Sequence, residues 1–212
     1  MNTYRRSLIA AAGAAAVAPL MNSWANEAQP EINQAVKDPL NEQAKKLALS
    51  SFTNGYMLPG AGWRGFSDRV MGGISNAELN SATIAGKNCI RLTGNVTRES
   101  NGGFIQMALY FGADEAELDG SAYSGIELKV FGNNEDYNVH LRTADCGWYD
   151  ESYRHTFFAK PEWQSVRIPF SEFEANSVKA PLNSARINRL AILGWMREFQ
   201  ADIALARISL YT

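Results

Sequence analysis

Cysteine and histidine are scarce in this chain, whose 212 residues include two of each. These side chains stand at no spacing typical of a zinc-ligand set, so neither a metal nor another cofactor is predicted. Two thiols are also too few for the disulfide framework of a small exported scaffold. Whether Cys89 and Cys146 pair stays open, because Cys89 also fits a small buried side chain in an apolar strand.

Clustered positive charge is also missing. The 20 Lys and Arg residues against 22 Asp and Glu residues give a formal net charge of −2, with no basic patch along the chain. Surfaces that bind nucleic-acid phosphates normally carry clustered Lys and Arg. A nucleic-acid partner is therefore not predicted.

Motifs of catalysis are lacking as well. His140 and His155 are the only histidines that could serve as a base, and no nucleophile elbow or H-E-x-x-H pattern accompanies them. A carboxylate pair such as Asp145 and Asp150 could serve glycoside hydrolysis only at a suitable separation. We predict that the chain is not an enzyme.

The first residues lack an apolar run long enough to span a membrane. The Ala-rich stretch at residues 8–20 covers about a dozen residues, whereas a bilayer needs about 20. Arg5-Arg6 precedes it and Ala25 closes a small-x-small site, so we predict that residues 1–25 are a cleaved export signal and that the mature protein is periplasmic. The paired arginines resemble a twin-arginine leader, and an ordinary secretory leader is the alternative. Membrane contact is expected only through a partner.

Long helical periodicity is absent from the rest of the chain. Residues 26–50 form a polar lead-in, with one short helix expected near Asn41 to Leu49. From Trp63 onward, period-two alternation is broken by turn residues about every ten positions, which is typical of an all-β domain. We place a single domain at residues 51–212.

Eight strands are predicted most clearly within this domain. They are Cys89–Val96, Gly103–Phe111, Gly125–Phe131, Tyr137–Thr143, Tyr153–Ala159, Gln164–Pro169, Arg189–Trp195 and Ile203–Tyr211. Alternation along Gly125–Phe131 puts Ile126, Leu128 and Val130 on the core face. Eight or more strands in one domain predict two packed antiparallel sheets, a β-sandwich of the jelly-roll type.

Residues 68–75 form the octapeptide Asp-Arg-Val-Met-Gly-Gly-Ile-Ser, which resembles the signature of the complex I intermediate-associated protein 30 family. Weaker matches follow in the expected order at Gly102-Gly103-Phe104, Tyr123 to Ile126, Tyr137 to Arg142, Trp163, Ile168 to Phe170 and Ile208 to Tyr211. Together they span about residues 52–212.

The resemblance implies a galactose-binding-like sandwich, a non-enzymatic role in assembling respiratory complex I, and no cofactor or catalytic residue. An export leader places the domain across the inner membrane from the nucleotide-oxidising arm of that complex. The remaining clients are then a membrane-arm subunit reached from the periplasm, or other exported proteins.

The octapeptide and the residues before it supply the first candidate binding residues. Gly72 and Gly73 allow a backbone bend with positive φ, and Asp68 and Ser75 can hydrogen-bond free amides around it. Both a folding device and a ligand or partner surface explain this pattern. The candidates in this segment are Trp63, Asp68, Arg69, Met71, Gly72, Gly73 and Ser75.

A second candidate set lies on the strand predicted at Tyr137–Thr143. Alternation puts Asn138, His140 and Arg142 on one face of that strand. Such a polar stripe fits a sugar or peptide site, and it equally fits a solvated outer face. Trp148-Tyr149 follows in a loop, where exposed aromatic side chains can anchor a partner.

Simpler roles are expected for three other tryptophans and one acidic loop. Trp63, Trp163 and Trp195 stand beside strand patterns and are expected to fill the core. The acidic loop could hold calcium through its carboxylate oxygens, or it could simply be solvated. Its acidic residues are Asp114, Glu115, Glu117 and Asp119.

The sequence therefore predicts an exported, non-enzymatic binding module that engages a protein client. A subunit of a respiratory membrane complex is among the candidate clients. The alternative is a carbohydrate-binding jelly-roll module that holds a glycan through the same polar and aromatic side chains.

Overall fold

The computed structural model describes residues 46–52, 54–112 and 116–212. The predicted leader and residues 26–45 of the predicted lead-in lie outside this part of the chain. Within it, no helix is both long enough and apolar enough to cross a membrane.

Strands dominate the described residues, because β-branched and aromatic side chains alternate with polar ones between turns rich in Gly, Asn and Asp. The thirteen strands found there are β1 (Lys46–Ser51), β2 (Tyr56–Met57), β3 (Gly62–Ser67), β4 (Glu78–Ile84), β5 (Lys87–Val96), β6 (Phe104–Tyr110), β7 (Gly125–Phe131), β8 (Glu135–Thr143), β9 (Ser152–Ala159), β10 (Gln164–Pro169), β11 (Glu174–Asn176), β12 (Ile187–Trp195) and β13 (Phe199–Tyr211). Short 3-10 helices lie at Asp68–Met71, Glu99–Asn101, Phe170–Glu172 and Ser184–Arg186.

The strands form two sheets in which every pairing is antiparallel. The seven-stranded sheet begins β10-β7-β13, after which the long β13 pairs with β5 along its first half and with β1 along its second half. β4 and β2 complete these two branches. The six-stranded sheet has the order β11-β9-β8-β12-β6-β3. The predicted antiparallel β-sandwich is confirmed.

One shared core lies between the sheets, because alternate side chains of each strand point inward. In β7 these are Ile126, Leu128 and Val130, each fully buried, as the alternation predicts. The six-stranded sheet supplies Ile105, Met107, Leu109, Tyr137, Val139, Leu141, Leu190 and Ile192 to the same cluster. Each fully buried aliphatic side chain contributes about 1.5–3 kcal/mol of transfer free energy, and this burial holds the sheets together.

The sandwich begins earlier than the sequence predicts. All eight predicted strands form, but β1 starts at Lys46, and residues 46–49 are strand where a short helix was expected. Pairing with β13 and complete burial of Leu49 account for the difference, because tertiary contacts override a weak local helical preference. β2, β3, β4 and β11 are also absent from the predicted strands.

The outer face of the seven-stranded sheet carries an ion-pair cluster around the buried Glu127. Glu127 is 4% exposed, and its carboxylate oxygens pair with Arg167 Nε at 2.7 Å and Arg207 Nη2 at 3.0 Å. Beside it, the Trp163 ring packs edge-on against Phe131 and covers a small apolar cluster. Trp163 therefore fills a satellite cluster on this face rather than the main core.

The two thiols are not bonded to each other. Cys89 lies in the satellite cluster under Trp163, whereas Cys146 lies in the main core, and both are buried. Burial raises the pKa of the Cys89 thiol. This thiol donates to the carbonyl oxygen of Ala82 at 3.3 Å, as a small buried side chain in a strand would.

Tyr137 links β8 to the start of β13 through a buried hydroxyl. The hydroxyl donates to Asn133 Oδ1 at 2.7 Å and accepts the Asp202 N–H at 2.8 Å, and the residue is 1% exposed. Burial raises the pKa of Tyr137, so the hydroxyl remains protonated.

The Tyr137→Phe variant should lose about 1–3 kcal/mol of unfolding free energy, because it leaves the partly buried Asp202 N–H without this acceptor. Urea denaturation of the variant and the wild type measures this loss. Tyr149→Phe is the matched control, since Tyr149 is 78% exposed and loss of its hydroxyl should leave the stability unchanged. Equal stability of wild type and Tyr137→Phe would contradict the assigned role.

Candidate functional site

A row of outward-facing side chains crosses the centre of the six-stranded sheet. The register places Ala108 of β6 opposite Ala191 of β12, Ala191 opposite His140 of β8, and His140 opposite Arg154 of β9. Because the two alanines are small and the side chains beside them are large, they leave a trough on the outer face.

A groove of about 380 Å³ occupies this trough, with Ala191 on its floor. Its apolar walls are Phe66, Val70, Met71, Phe104, Leu193 and Trp195. Its polar side chains include Gln106, His140, Arg142, Ser152, Arg154 and Arg189. Tyr149, Asp150 and Glu151 line it from the loop between β8 and β9. A hollow of about 450 Å³ beside Cys89 is broad, open and lined by no charged side chain, so the groove is the better binding site.

Trp195 forms one wall of the groove, although the sequence places it in the core. Its ring lies 5.9 Å from the Phe104 ring and 5.0 Å from the His140 ring, centroid to centroid. The Arg154 guanidinium stacks on it at 4.7 Å. Trp195 stands opposite Phe104 on the outward-facing side of β12, so the core prediction for this residue is wrong.

His140 is a buried, neutral base on the same face. It is 9% exposed, and its Nε2 atom has no hydrogen-bond partner among the described residues. Burial, together with the positive charges of Arg154 and Arg189, lowers its pKa to about 3. The ring therefore stays uncharged at neutral pH and contributes polar contacts without adding a charge.

Arg142 fixes the loop that ends the groove. Its guanidinium donates to the carbonyl oxygens of Trp148 at 2.7 Å and Cys146 at 3.2 Å, and also to that of Glu151. The Glu151 carboxylate in turn accepts the N–H groups of Gly147 at 2.6 Å and Trp148 at 3.0 Å. These bonds hold the loop while leaving its aromatic side chains in solvent.

Asp68 fixes the other end of the groove through a fully buried carboxylate. Oδ1 accepts the Ser75 N–H at 3.0 Å, and Oδ2 accepts the Ser75 hydroxyl at 2.5 Å and the N–H groups of Gly103 at 2.6 Å and Phe104 at 3.2 Å. Burial raises the pKa of Asp68, but the hydrogen bonds from Ser75, Gly103 and Phe104 outweigh it and leave the pKa below its ordinary value of 3.8. The carboxylate is therefore ionised and joins the octapeptide to the start of β6.

Glycines make this close approach sterically feasible. A Cβ at Gly73 would lie 2.4 Å from the Asp68 Cγ, and one at Gly102 would lie 2.5 Å from Asp68 Oδ2. Gly72 ends the 3-10 helix with φ of 90°, which only glycine adopts readily. The predicted bend and the amide contacts of Asp68 are confirmed, so the buried part of the octapeptide is a folding device.

The rim of the groove exposes apolar side chains to solvent. Val70 and Met71, in the 3-10 helix after β3, are 70% and 53% exposed. Tyr149, from the loop held by Arg142, is 78% exposed. We call these three residues the apolar rim. Ile74 and Trp148, at 47% and 71% exposure, lie next to it in the sequence.

The family model for complex I intermediate-associated protein 30 (CIA30) matches residues 51–203 of the chain. The chain belongs to the CIA30 family. The match includes the octapeptide, β6 and the whole of β8 and β12, so it covers every strand that lines the groove. No curated protein matches the sequence.

Several solved structures with a similar fold are carbohydrate-binding modules. A family 11 module from Clostridium thermocellum, in complex with a beta-1,3-1,4-mixed-linked tetrasaccharide, superposes with a TM-score of 0.59 at 13% identity, covering 79% of this chain and 95% of that one. The family 11 module of the Clostridium thermocellum cellulase Lic26A-Cel5E gives 0.58 at 12% identity over 77% and 92%. A family 30 module gives 0.56 at 16% identity over 80% and 89%. At these identities the likeness establishes the β-sandwich fold alone.

The groove of this CIA30 domain brings together Met71, His140, Arg142 and Tyr149 from the predicted set. The other predicted residues lie outside its lining: Trp63, Asp68, Arg69, Gly72, Gly73, Ser75, Asn138 and Trp148. Trp63 packs against the core as expected, and its Nε1 donates to Ser50 Oγ at 3.1 Å. Asn138 shares the outward face with His140 but donates to Thr156 Oγ1 at 2.6 Å.

The acidic loop of the CIA30 domain is engaged in local contacts. Glu117 forms a two-pronged ion pair with Arg186 at 2.9 and 3.0 Å, and Asp119 accepts the Ser121 N–H at 2.9 Å. Asp114 and Glu115 lie outside the described residues. Of the proposed carboxylate pair, Asp145 lies 4.0 Å from Arg186, whereas Asp150 lines the groove.

Several groove residues of β12 could have been found from the sequence by taking every second residue of the strand. Arg189, Ala191, Leu193 and Trp195 alternate with the core residues Leu190 and Ile192. Both faces of this strand are largely apolar, so hydrophobicity alone does not separate them. The position of Arg189 is the one signal in the strand that marks the outward face.

Asp68→Asn should lower the unfolding free energy by at least about 1–3 kcal/mol near neutral pH, because an amide NH₂ replaces an acceptor oxygen facing backbone N–H groups. The native pKa lies below the unfolded one. The greater unfolding free energy of the wild type is therefore fully present above pH 3.8, and it is lost as the pH falls through the pKa of Asp68 in the native state. Chemical denaturation across an acidic pH series measures the difference.

Asp136→Asn serves as the control, since Asp136 is exposed and its removal should cost little at any pH. A deficit for Asp68→Asn that stays constant down to the most acidic point would contradict an ionised native carboxylate.

Proposed function

We propose that this CIA30-family chain is an exported, non-enzymatic binding module that holds a protein client in the groove and assists the assembly of a protein complex. The apolar rim is the observation that carries the proposal. Val70, Met71 and Tyr149 are more than half exposed beside a preformed groove. Exposed apolar patches with polar surroundings mark interaction sites, and methionine adapts readily to varied partner surfaces.

The rest of the groove supports attachment better than chemistry. The His140 ring is neutral but buried, and its pKa of about 3 makes it a poor general base at neutral pH. The Glu151 carboxylate is occupied by two backbone N–H groups of its own loop. These features favour a surface that binds and releases a partner unchanged.

Export is part of the proposal and rests on the Arg5-Arg6 pair, the apolar run at residues 8–20 and the cleavage site at Ala25. A twin-arginine leader fits a cargo that folds before transport. The client would then be an exported protein or the periplasmic side of a membrane-complex subunit.

Affinity capture with the tagged full chain tests this function. The chain should be recovered from the periplasmic fraction with a specific exported or membrane-complex protein, identified by mass spectrometry. Met71→Ser and Tyr149→Ala should each reduce recovery about tenfold or more, because truncating an interface anchor costs about 2 kcal/mol. Tyr56→Ser is the matched control, since Tyr56 is 39% exposed but lies in β2 of the seven-stranded sheet.

Recovery that is unaffected by both rim variants would refute the protein-binding role of the groove. Retention of the chain in the cytoplasm would refute export.

A carbohydrate-binding role is the second candidate, favoured by a groove whose lining combines the Trp195 ring with the hydrogen-bonding side chains Gln106, His140 and Arg189. Several proteins of similar fold are carbohydrate-binding modules, and one was solved with a mixed-linked tetrasaccharide. A glycan array that retains the wild type and releases Trp195→Ala would support this candidate. An array without hits would remove it.

A further inference from the structure

Arg154 and Arg189 line the groove, and their contacts differ from those of the ion-paired arginines. The arginines held in ion pairs are Arg91, Arg167, Arg186, Arg197 and Arg207. No ion pair among the described residues involves Arg154 or Arg189. Arg154 donates to Ser152 Oγ at 2.8 Å and to the Asp150 carbonyl oxygen at 3.1 Å. Arg189 donates to the Tyr110 hydroxyl at 3.3 Å.

Both guanidinium groups are half-buried in the groove. Burial lowers the pKa of Arg154, and only the exposed Asp150 offsets this electrostatically. Half-burial of a guanidinium group carries a desolvation cost that an anionic ligand would relieve. The chain as a whole has a formal charge of −2, so this positive site is local.

The two carboxylates of the groove lining, Asp150 and Glu151, offset its positive charge only in part, because three arginines also line it. The Glu151 side chain accepts two N–H groups of its own loop, and Asp150 stands exposed at the mouth. Burial and the positive charges of Arg154 and Arg189 lower the pKa of His140, so its ring stays uncharged. Its buried Nε2 without a partner is a second sign of a site built for a polar ligand, since such atoms are rarely left unsatisfied elsewhere.

The apolar side chains of the groove decide which anionic ligand fits. Phe104, Leu193 and Trp195 line it, and Val70 and Met71 border it. An acidic polysaccharide has no aliphatic side chains to bury against these residues. A protein segment with mixed acidic and apolar residues complements both the charge and the walls.

We propose that the groove binds an acidic protein segment, in which Asp or Glu carboxylates pair with Arg154 and Arg189 while neighbouring apolar side chains pack on Trp195 and Met71. This inference rests on the protein-binding function proposed above and adds the chemistry of the client.

Selection of short random peptides on the immobilised full chain tests the inference. Selected peptides should be enriched in Asp and Glu next to Leu, Phe or Trp. In calorimetry, changing the Glu of a selected peptide to Gln should weaken binding about tenfold or more. Arg154→Gln or Arg189→Gln in the chain should have the same effect, because each of these changes leaves the opposite charge unpaired. The peptide change should have little further effect in the arginine variants.

Arg98→Gln is the matched control, since it removes the same charge from an exposed position outside the groove lining. Raising the salt to about 0.5 M should weaken wild-type binding, which tests the charge pairing without any variant.

The possible outcomes separate this inference from the function on which it rests. Neutral or basic peptides that bind wild type but not Tyr149→Ala would overturn the acidic preference and leave the protein-binding role intact. If no peptide depends on the groove, both ideas fail. Binding of oligogalacturonate, or of a neutral mixed-linked glucan, in place of peptides would assign the groove to glycans and also overturn both.

Discussion

The ionised carboxylate of Asp68 decides how three parts of the chain meet. It is excluded from solvent and accepts hydrogen bonds from Ser75, Gly103 and Phe104. An isolated buried charge would be costly, and the donors that surround it offset that cost. With the carboxylate in place, the 3-10 helix presents Val70 and Met71 at one end of the groove while Phe104 begins β6 and forms its wall.

The sandwich therefore has two outer faces of different character. On the seven-stranded sheet, Glu127 is paired with two arginines and Trp163 covers the small side chains beside it. On the six-stranded sheet, small residues at the centre leave a groove, and Arg154 and Arg189 line it without carboxylate partners in the described part of the chain. On the seven-stranded sheet these charged side chains pair with one another. The six-stranded sheet instead presents a groove with apolar walls and arginine side chains.

The sequence predicts the architecture more fully than the site. Alternation gives the inward face of β7 correctly, because the charged residues Glu127 and Lys129 mark its outer face. The octapeptide correctly indicates the CIA30 family and a buried turn. Alternation misplaces Trp195, because β12 is apolar on both faces and only Arg189 marks the outward side. Neither the support of the loop by Arg142 nor the burial of His140 follows from local pattern, since both depend on which strands become neighbours.

The central proposal is that the outer face of the six-stranded sheet contacts the partner. The groove on this face is the observation that supports it. Site-specific photo-crosslinking in cells tests it most directly, with a photoreactive amino acid placed at Tyr149 of the rim or at Glu78, an exposed position on β4 of the other sheet. We expect a discrete crosslinked protein from position 149 and none from position 78. A product from position 78 with none from position 149 would contradict the proposal.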